Sequence, residues 1–244
     1  MRLVTYNILD GGLGRADPLA EVLLNQRADV IVLCEAERPG YLTRIAGRLG
    51  DGWDTLHFPG TGRSLAVLTR LPVVSAVNHA LVQDAGPRAW AEVVVLSGGR
   101  EVSVTGLHLS PHRPRHAEDK RLRELAPVLE TLAGRRAAGE GHVVAGDLNS
   151  VHPDAQIDES RLRPEDLHGL RENDNALPRD VLRALLDAGY VDAPTGGGTL
   201  DTIGRGLRVD YVLTHGLDVA SAWTETDRLA RYASDHYPVG VELA

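Results

Sequence analysis

The chain has 244 residues, of which 43% are hydrophobic and 25% charged, and its formal net charge is −8. These values are ordinary for a globular domain and exclude an intrinsically disordered chain. No apolar run approaches the ~18 residues of a membrane-spanning helix, and the acidic balance argues against tight, sequence-independent binding of duplex DNA.

In chain order, segments rich in Val, Ile, Leu and Thr alternate with segments whose apolar residues have helical spacing. The predicted strands are 3–9, 29–35, 65–69, 90–96, 102–109, 142–145, 209–214, 219–224 and 238–243. The predicted helices are 17–27, 40–49, 117–138 and 179–188. The least regular stretch is 151–178, which we expect to be functional or to carry short helices of its own.

Several predicted strands follow one another without an intervening helix. Segments 90–96 and 102–109, for example, are joined across residues 97–100, Ser-Gly-Gly-Arg, a sequence typical of a hairpin turn. Such connections favour two largely antiparallel sheets packed together, with helices outside, over one doubly wound parallel sheet. Because no linker or low-complexity tract interrupts the pattern, we predict a single domain over residues 1–244.

The cysteine content bears on the compartment. Cys34 is the single cysteine, so an intramolecular disulfide is impossible and a reducing compartment is favoured. The first residues alternate as in a strand, and no series typical of a secretory signal is seen. We therefore expect a cytoplasmic protein, with a monomer as the default. Lys120 is the only lysine among 26 basic residues, a bias that suggests a GC-rich bacterial genome.

Polar residues interrupt the apolar segments mainly where the predicted strands end. Carboxylates in strands that ought to be buried are costly unless they are paired or bind a cation, so several in one chain suggest a shared site. These polar residues are Asn7, Glu35, Glu37, His108, Asp147, Asn149, Asp210, Asp235 and His236. The i, i+2 spacing of Asp147 and Asn149 points both side chains the same way in an extended chain.

The residue types in this set are chemically coherent. Oxygen ligands without a set of cysteine or histidine ligands favour Mg²⁺ or Mn²⁺ over zinc. Two histidines and two asparagines beside them suit in-line hydrolysis of a phosphoester. In that reaction a carboxylate or imidazole handles the water's proton, and charged or amide donors stabilise the developing oxyanion. The sequence therefore indicates a metal-dependent phosphoester hydrolase.

The order of the motifs TYN, E, GLHL, GDLNS, RVDYVL and SDHYPV resembles that of the endonuclease/exonuclease/phosphatase superfamily, and the motifs extend from residue 5 to residue 238. The resemblance implies a DNase I-like α/β (α+β) fold, a four-layer α-β-β-α sandwich of two mainly antiparallel sheets. There are three departures: GLHL replaces the usual THL, Cys34 stands where Gln is frequent, and the segment after Asn7 lacks the Asn-x-Asp of abasic-site nucleases. The last departure argues against an abasic-DNA role.

The resemblance also implies which residues bind the metal. Glu35 would be the main ligand, with Asn7 beside it and Asp235 contributing to the same or a second metal position. Glu37 is the alternative to Glu35, since one of the two side chains should point inward and the other into solvent. Asp10 precedes two glycines and is more typical of a turn than of a metal ligand.

For the remaining residues the resemblance implies catalytic roles. Asp147 would align or deprotonate the attacking water, and Asn149 would hold a phosphate oxygen. His236 would act on the phosphate as a base or as a charged group, with Asp210 fixing its tautomer. His108 would contact the scissile phosphate or the leaving group. Family members differ in which group is the formal base, so that assignment stays open.

Other polar residues have a weaker claim. Arg63 and Ser64, in a predicted loop, and Arg113, in a basic stretch, are candidates for binding a substrate phosphate. In each case a structural or solvated role is the alternative. Asp210 also has a structural alternative, namely a buried salt bridge to a partner such as Arg208.

The acidic segment 151–180 bears on the substrate, because it follows Asn149 and should rim the site. It carries eight acidic residues against four arginines, and an acidic rim repels a long polyanion within about one Debye length, ~8–10 Å. We therefore expect a small or lipid-like phosphodiester or monoester as substrate, with nucleic acid disfavoured as a partner. A nuclease acting on DNA or RNA is the alternative, and a binding module without the chemistry is a third.

Overall fold

The computed structural model describes residues 1–81, 86–173, 176–200 and 206–244. Within these residues the strands are β1 Arg2–Asn7, β2 Val30–Cys34, β3 Asp54–Pro59, β4 Ser64–Thr69, β5 Val73–Asn78, β6 Ala89–Ser97, β7 Arg100–His108, β8 His142–Asp147, β9 Val191–Asp192, β10 Asp210–His215, β11 Val219–Thr224 and β12 Val239–Leu243. The helices are α1 Ala16–Gln26, α2 Pro39–Leu49, α3 Arg115–Ala137, α4 Pro164–Glu172, α5 Asp180–Asp187 and α6 Arg228–Ala233.

The strands form two six-stranded sheets, in the orders β11-β12-β1-β2-β4-β3 and β5-β6-β7-β8-β10-β9. Each sheet contains one parallel pair at its centre, β1 with β2 in the first and β7 with β8 in the second. The other neighbouring strands are antiparallel. The prediction of two mainly antiparallel sheets is therefore confirmed.

The two sheets pack face to face over a core of Val, Leu and Ala side chains. Helices α1, α2 and α6 cover the outer face of the first sheet, and α3 and α5 cover the outer face of the second. This is the expected four-layer α-β-β-α sandwich, in which every sheet face is covered by another layer. Among the described residues, no helix is both long enough and apolar enough to cross a membrane.

Three strands and two helices were not predicted from the sequence. Strands β3, β5 and β9 each lie at the edge of a sheet, and β3 and β5 leave most of their residues at least partly exposed. An exposed edge strand lacks the apolar pattern that marks a buried one. Helices α4 and α6 span only nine and six residues. Helix α4 lies in the irregular stretch for which short helices were one of the two expectations.

Two central strands end slightly earlier than predicted. Strand β1 ends at Asn7 and β2 at Cys34. Just beyond them, Leu9 and Glu35 have φ values of 51° and 60°. This left-handed region is uncommon for residues other than glycine, so the chain leaves the sheet abruptly at both points.

The central strands bring the polar residues to one edge of the sandwich. In each sheet the two parallel strands end on the same side of the sandwich, and their antiparallel neighbours begin on that side. Asp210, the first residue of β10, lies opposite Asp147, the last residue of β8. His108, the last residue of β7, lies on the other side of Asp147. The candidate site therefore forms where these strands end.

Candidate active site

A cleft of about 600 Å³ opens at this edge. Most of the residues predicted for the site line it: Asn7, Glu35, Arg63, His108, Arg113, Asp147, Asn149, Asp235 and His236. Within the described chain, Asp210 and Ser64 are not among the lining residues. Asp210 is fully buried and reaches the cleft through His236, whereas Ser64 is buried at the start of β4.

Asn7 links the two carboxylates that come from different sheets. Its amide Nδ2 donates to Asp147 Oδ2 at 3.0 Å and to Glu35 Oε1 at 3.4 Å, while its Oδ1 accepts from the backbone N–H of Leu9 at 3.0 Å. The backbone N–H of Asp10 donates to Glu35 Oε2 at 3.0 Å. Glu35 therefore faces the cleft, whereas Glu37 accepts from the backbone N–H of Ser64 at 3.1 Å.

His236 forms a short, buried contact with a carboxylate. Its Nδ1 lies 2.7 Å from Asp210 Oδ2. Burial by itself would lower the pKa of His236, but the charge of Asp210, its hydrogen bond and the further charges of Asp147 and Asp235 raise that pKa to about 10. The ring is therefore held as an imidazolium with Nδ1 fixed on Asp210, which leaves Nε2 to face other groups.

His108 has the opposite electrostatic character. It is buried, with Nε2 3.6 Å from Asp147 Oδ2. Burial lowers the pKa of His108 to about 4, with the positive charges of Arg88, His236 and Arg63 acting in the same direction against the attraction of Asp147. Its Nδ1 is buried and has no hydrogen-bond partner among the described residues. The site thus holds one charged and one neutral imidazole.

Asp147 lies between these groups. Burial and the neighbouring Asp210 raise the pKa of Asp147. Its Oδ1 accepts from the backbone N–H of Asn149 at 2.9 Å, and Asn149 Nδ2 donates to the carbonyl of Leu109 at 3.1 Å. Gly146 precedes Asp147 with φ +145°, and a Cβ there would lie 1.9 Å from the carbonyl oxygen of Leu107. Only glycine lets β7 approach β8 this closely beside the site.

The arginines at the cleft differ in their partners. Arg63 forms ion pairs with Asp10 at 3.2 Å, Glu35 at 3.4 Å and Glu37 at 3.8 Å. Arg113 is buried, and its guanidinium donates to the backbone carbonyl of Asn149. This bond joins Arg113 to the segment that carries Asp147 and Asn149, a structural role beside the predicted substrate contact.

Arg88 lines the cleft as well and was not found from the sequence. Burial, together with the positive charge of Arg63, lowers the pKa of Arg88. The sequence carries no signal for it, since a single arginine before a strand is ordinary. Asp235 lies half-buried at the cleft, one residue before His236.

The donor set fits a hard divalent cation. Ligand atoms of Asp147, Asp210 and His236 lie within 4.8 Å of one another. Because the charged His236 ring has no free nitrogen lone pair, the carboxylates are the members of this group that could hold an ion. Asp210 Oδ1 is buried without a hydrogen-bond partner in the described chain, and a buried carboxylate oxygen in that state is suited to a cation. Glu35 adds a carboxylate on the other side of Asn7. The set is rich in carboxylate oxygen, as Mg²⁺ and Mn²⁺ require.

The segment expected to form an acidic rim contributes little to the cleft. Of its acidic residues, those that line the cleft in the described chain are Glu165 and Asp166. Asp166 is fully buried with its carboxylate 3.5 Å from Arg113 Nε. Others cap a turn or pair with neighbouring side chains, and Asp174 lies outside the described residues. The observation behind the expected repulsion of polyanions is therefore weaker than the sequence suggested.

Comparison with solved structures finds the same fold. An AP endonuclease from Archaeoglobus fulgidus matches over 100% of this chain and 99% of its own, with 17% identity and a TM-score of 0.71. An endonuclease/exonuclease/phosphatase from Beutenbergia cavernae matches over 100% of this chain and 71% of its own, with 21% identity and a TM-score of 0.69. The beta toxin of Staphylococcus aureus matches over 99% of both chains, with 17% identity and a TM-score of 0.67. At these identities the likeness concerns the fold.

The sequence comparisons differ from one another. A search of curated proteins finds no match. The model of the Endonuclease/Exonuclease/phosphatase family, in contrast, matches residues 4–236. That range includes both ends of the cleft-lining set, from Asn7 to His236. The chain therefore belongs to the endonuclease/exonuclease/phosphatase family.

Proposed function

We propose that this chain is a divalent-metal-dependent phosphoesterase that hydrolyses a small or lipid-like phosphodiester, or a phosphomonoester, by in-line attack of water. The observation that carries the proposal is the buried Asp210–His236 pair beside Asp147, open to the cleft through His236. Buried charges of this kind cost desolvation free energy, and they cluster at sites where a ligand or a reaction uses them. Members of the family act on phosphoesters, which have the charge that such a site could use.

The metal that we propose is Mg²⁺ or Mn²⁺. Glu35 would hold it, with Asn7 beside it and Asp235 contributing to the same or a second metal position. A bound divalent ion would supply charge neutralisation of the phosphate and polarisation of its P–O bonds. In the orientation described, the Nδ2 of Asn7 donates to both carboxylates, so the role of Asn7 would be to fix the positions of Glu35 and Asp147 relative to each other.

Four side chains of the cleft would have the remaining catalytic roles. Asp147, with its raised pKa, is suited to accept a proton from the attacking water, because a base works best with a pKa nearer the ambient pH. The charged His236 would stabilise the negative charge of the pentavalent state. The neutral His108 would offer a hydrogen bond to a phosphate oxygen or leaving group. Asn149 would hold a further phosphate oxygen.

Substrate size is proposed from the cleft. Its volume of about 600 Å³ lies within the range of sites for small molecules. A nuclease acting on DNA or RNA is the second candidate, and the specific observation in its favour is the composition of the rim. Arg63, Arg88 and Arg113 all line the cleft, whereas most of the acidic residues of segment 151–180 do not. For location, the buried, unpaired thiol of Cys34 supports a reducing compartment, and we propose the cytoplasm.

The test is a hydrolysis panel with metal controls. Bis-p-nitrophenyl phosphate, p-nitrophenyl phosphate, plasmid DNA, single-stranded RNA and sphingomyelin are compared with Mg²⁺, with Mn²⁺ and with EDTA. We expect EDTA to abolish turnover, added metal to restore it, and small diesters to be cleaved faster than plasmid DNA. Turnover that survives EDTA would refute the metal dependence. Efficient nicking of the plasmid at low enzyme concentration would favour the nuclease instead.

A variant sharpens the same test. Glu35→Gln keeps the size of the side chain but removes its charge, so we expect loss of activity and weaker Mn²⁺ binding by calorimetry. Glu101→Gln, on the exposed part of β7, is the matched control and should change neither. Unchanged metal affinity in Glu35→Gln would show that Glu35 is not a ligand.

A further inference from the structure

A second, smaller pocket opens beside the cleft, and we call it the side pocket. It measures about 290 Å³ and shares Arg88, Pro111, His112 and His116 with the lining of the cleft. Lys120 adds a further basic side chain. No carboxylate lines the side pocket within the part of the chain that the structure describes. The cleft itself, in contrast, mixes carboxylates with basic groups.

Much of this positive charge is available to a ligand. The Arg88 guanidinium is half-buried and makes no ion pair or hydrogen bond with another described residue. Lys120 Nζ lies 3.7 Å from Glu124 Oε1. Glu124 also accepts from the backbone N–H and the hydroxyl of Ser110. Because the Lys120 side chain is 58% exposed, its ion pair with Glu124 is weak and leaves the ammonium accessible to a ligand. Arginine and lysine in this arrangement are typical ligands of phosphate groups.

The wall of the side pocket is held rigidly. His112 has φ 84°, a strained conformation for a residue with a side chain. Arg121 Nη1 donates to the carbonyls of Ser110 at 2.8 Å and His112 at 2.7 Å. Arg121 is itself buried and paired with the buried Glu118 at 2.7 Å. Strained residues fixed by a buried network are common where a ligand is clamped, and the pocket does not have to order itself on binding.

We propose that the side pocket binds a second anionic group of the substrate, of the phosphate class, while the scissile phosphate lies at the carboxylates and histidines where the strands end. This inference rests on the proposed function for the position of the first phosphate. It narrows the substrate to small molecules that carry two phosphates. Two sources share this chemistry, nucleotides with a second phosphate and phosphorylated polyol headgroups.

The experiment measures binding by calorimetry with Ca²⁺ in place of Mg²⁺, and the ligand is recovered after each titration to confirm that it has not been hydrolysed. One pair of ligands is thymidine 5′-phosphate and thymidine 3′,5′-bisphosphate, and the other is inositol 1-phosphate and inositol 1,4-bisphosphate. We expect the second phosphate to lower Kd about tenfold or more in at least one pair, as charge-assisted hydrogen bonds do. The pair that shows the gain identifies the source.

Three variants locate the effect. Lys120→Gln and Arg88→Gln should remove most of the gain from the second phosphate. Arg123→Gln removes the same charge from an exposed position on the same helix, outside the side pocket, and should keep the gain. Thermal melting checks that each variant is folded. If Arg88→Gln does not fold, Lys120→Gln is sufficient for the test, because that side chain is 58% exposed.

Two results would overturn the inference: less than a twofold gain in both pairs for the unmodified chain, or an equal loss of the gain in Arg123→Gln and Lys120→Gln. The proposed function is judged separately, by hydrolysis of the p-nitrophenyl ester of thymidine 5′-phosphate with and without a 3′-phosphate. Hydrolysis of both esters without a binding gain refutes the side pocket alone. A binding gain without hydrolysis of these esters or of any substrate in the panel above supports the side pocket and refutes the phosphoesterase.

Discussion

Strands β8 and β10 carry titratable residues at both ends, and the two ends differ in how well these residues are satisfied. At one end Asp147 lies opposite Asp210, and at the other His142 lies opposite His215. The buried His142 uses both ring nitrogens, Nδ1 with the carbonyl of Glu140 at 2.7 Å and Nε2 with the Tyr190 hydroxyl at 2.9 Å. Its neighbour His215 has Nδ1 3.0 Å from a backbone carbonyl.

At the cleft end, in contrast, some of the buried polar atoms have no hydrogen-bond partner in the described part of the chain. Asp210 Oδ1 and His108 Nδ1 are buried without a hydrogen-bond partner among the described residues. Burial of polar groups is ordinary at both ends, so burial does not distinguish a site from a structural cluster. Unused hydrogen-bonding capacity does distinguish these two ends of β8 and β10, because it costs stability and can be used by a ligand at the cleft end. Substitutions at Asp210, Gly146, His142 and Tyr190, with their companion and control variants, probe the two ends, from the largest expected effect to the smallest.

Asp210→Asn should lower kcat by roughly 10²–10⁴-fold, the usual contribution of an oriented, charged acid–base group, with little change in KM. The amide is nearly isosteric, so the chain should fold, but His236 would lose the charge that raises its pKa. His236→Ala should cost at least as much, and the double variant little more than the worse single one, because the two residues act as a unit. Steady-state kinetics of all three variants provide the measurement. Additive losses would indicate that Asp210 is a structural salt-bridge residue.

Gly146→Ala should destabilise the fold by roughly 2–3 kcal/mol, because its Cβ would overlap the Leu107 carbonyl at a φ that L-residues rarely adopt. Gly139→Ala is the matched control: φ there is +69°, but the added Cβ has no atom within 4 Å. Urea unfolding of both variants gives the comparison. An equal loss in the two would mean that backbone conformation alone, and not the contact of β7 with β8, accounts for the effect.

His142→Phe should cost about 1–2 kcal/mol at pH 8, because the Glu140 carbonyl and the Tyr190 hydroxyl lose their partner. Burial lowers the pKa of His142 from 6.5, with His215, Arg135 and Arg136 adding to the effect against the hydrogen bond to Glu140. The unfolded chain therefore binds the proton more readily, and stability is lost as the pH falls below about 6.5 toward the lowered pKa.

Urea unfolding from pH 8 to pH 5 measures that pH dependence. The decline in stability below pH 6.5 should be shallower in His142→Phe than in the unmodified chain. His168→Phe, at a side chain 70% exposed, serves as control and should keep the original slope. An unchanged slope in His142→Phe would assign the pH dependence to other groups.

Tyr190→Phe should have the smallest effect, about 0.5–1.5 kcal/mol of stability, since the hydroxyl loses its hydrogen bond with His142 and a long one from Arg136 Nη1 at 3.4 Å. Turnover at saturating substrate should stay within twofold of the unmodified chain, because the residue lies at the end of the sheet away from the cleft. A large fall in kcat would break the distinction between the two ends.

Sequence reasoning reached the cleft because its residues interrupt apolar segments. Glu35, Asp147 and His236 each follow or precede a run of buried aliphatic residues, and that contrast is visible without coordinates. The central strands were predictable for the same reason. The edge strands β3 and β5 were not, because their side chains are largely exposed and carry no such contrast.

What the sequence missed depends on contacts between distant segments. Arg88 reaches the cleft because its segment packs against Gly60, where a Cβ would lie 2.1 Å from the Arg88 carbonyl and 2.2 Å from that of Arg63. The backbone N–H of Thr61 also donates to Arg88 O at 2.9 Å. The burial of Arg121 is a second example, since the basic stretch around it suggests a solvated helix face. No local pattern encodes either arrangement.

The thiol of Cys34 lies between the sheets, 3.4 Å from the backbone N of Asp147 and 3.6 Å from the Leu107 carbonyl. Burial raises its pKa well above the ordinary value, which disfavours the reactive thiolate while the sheets are closed. Alkylation of this single cysteine therefore counts opening events of the molecule directly beneath the site. A compound bound in the cleft would slow alkylation by the factor 1 + [L]/Kd. The rate of thiol labelling thus gives the affinity of any cleft ligand, whether or not it is turned over.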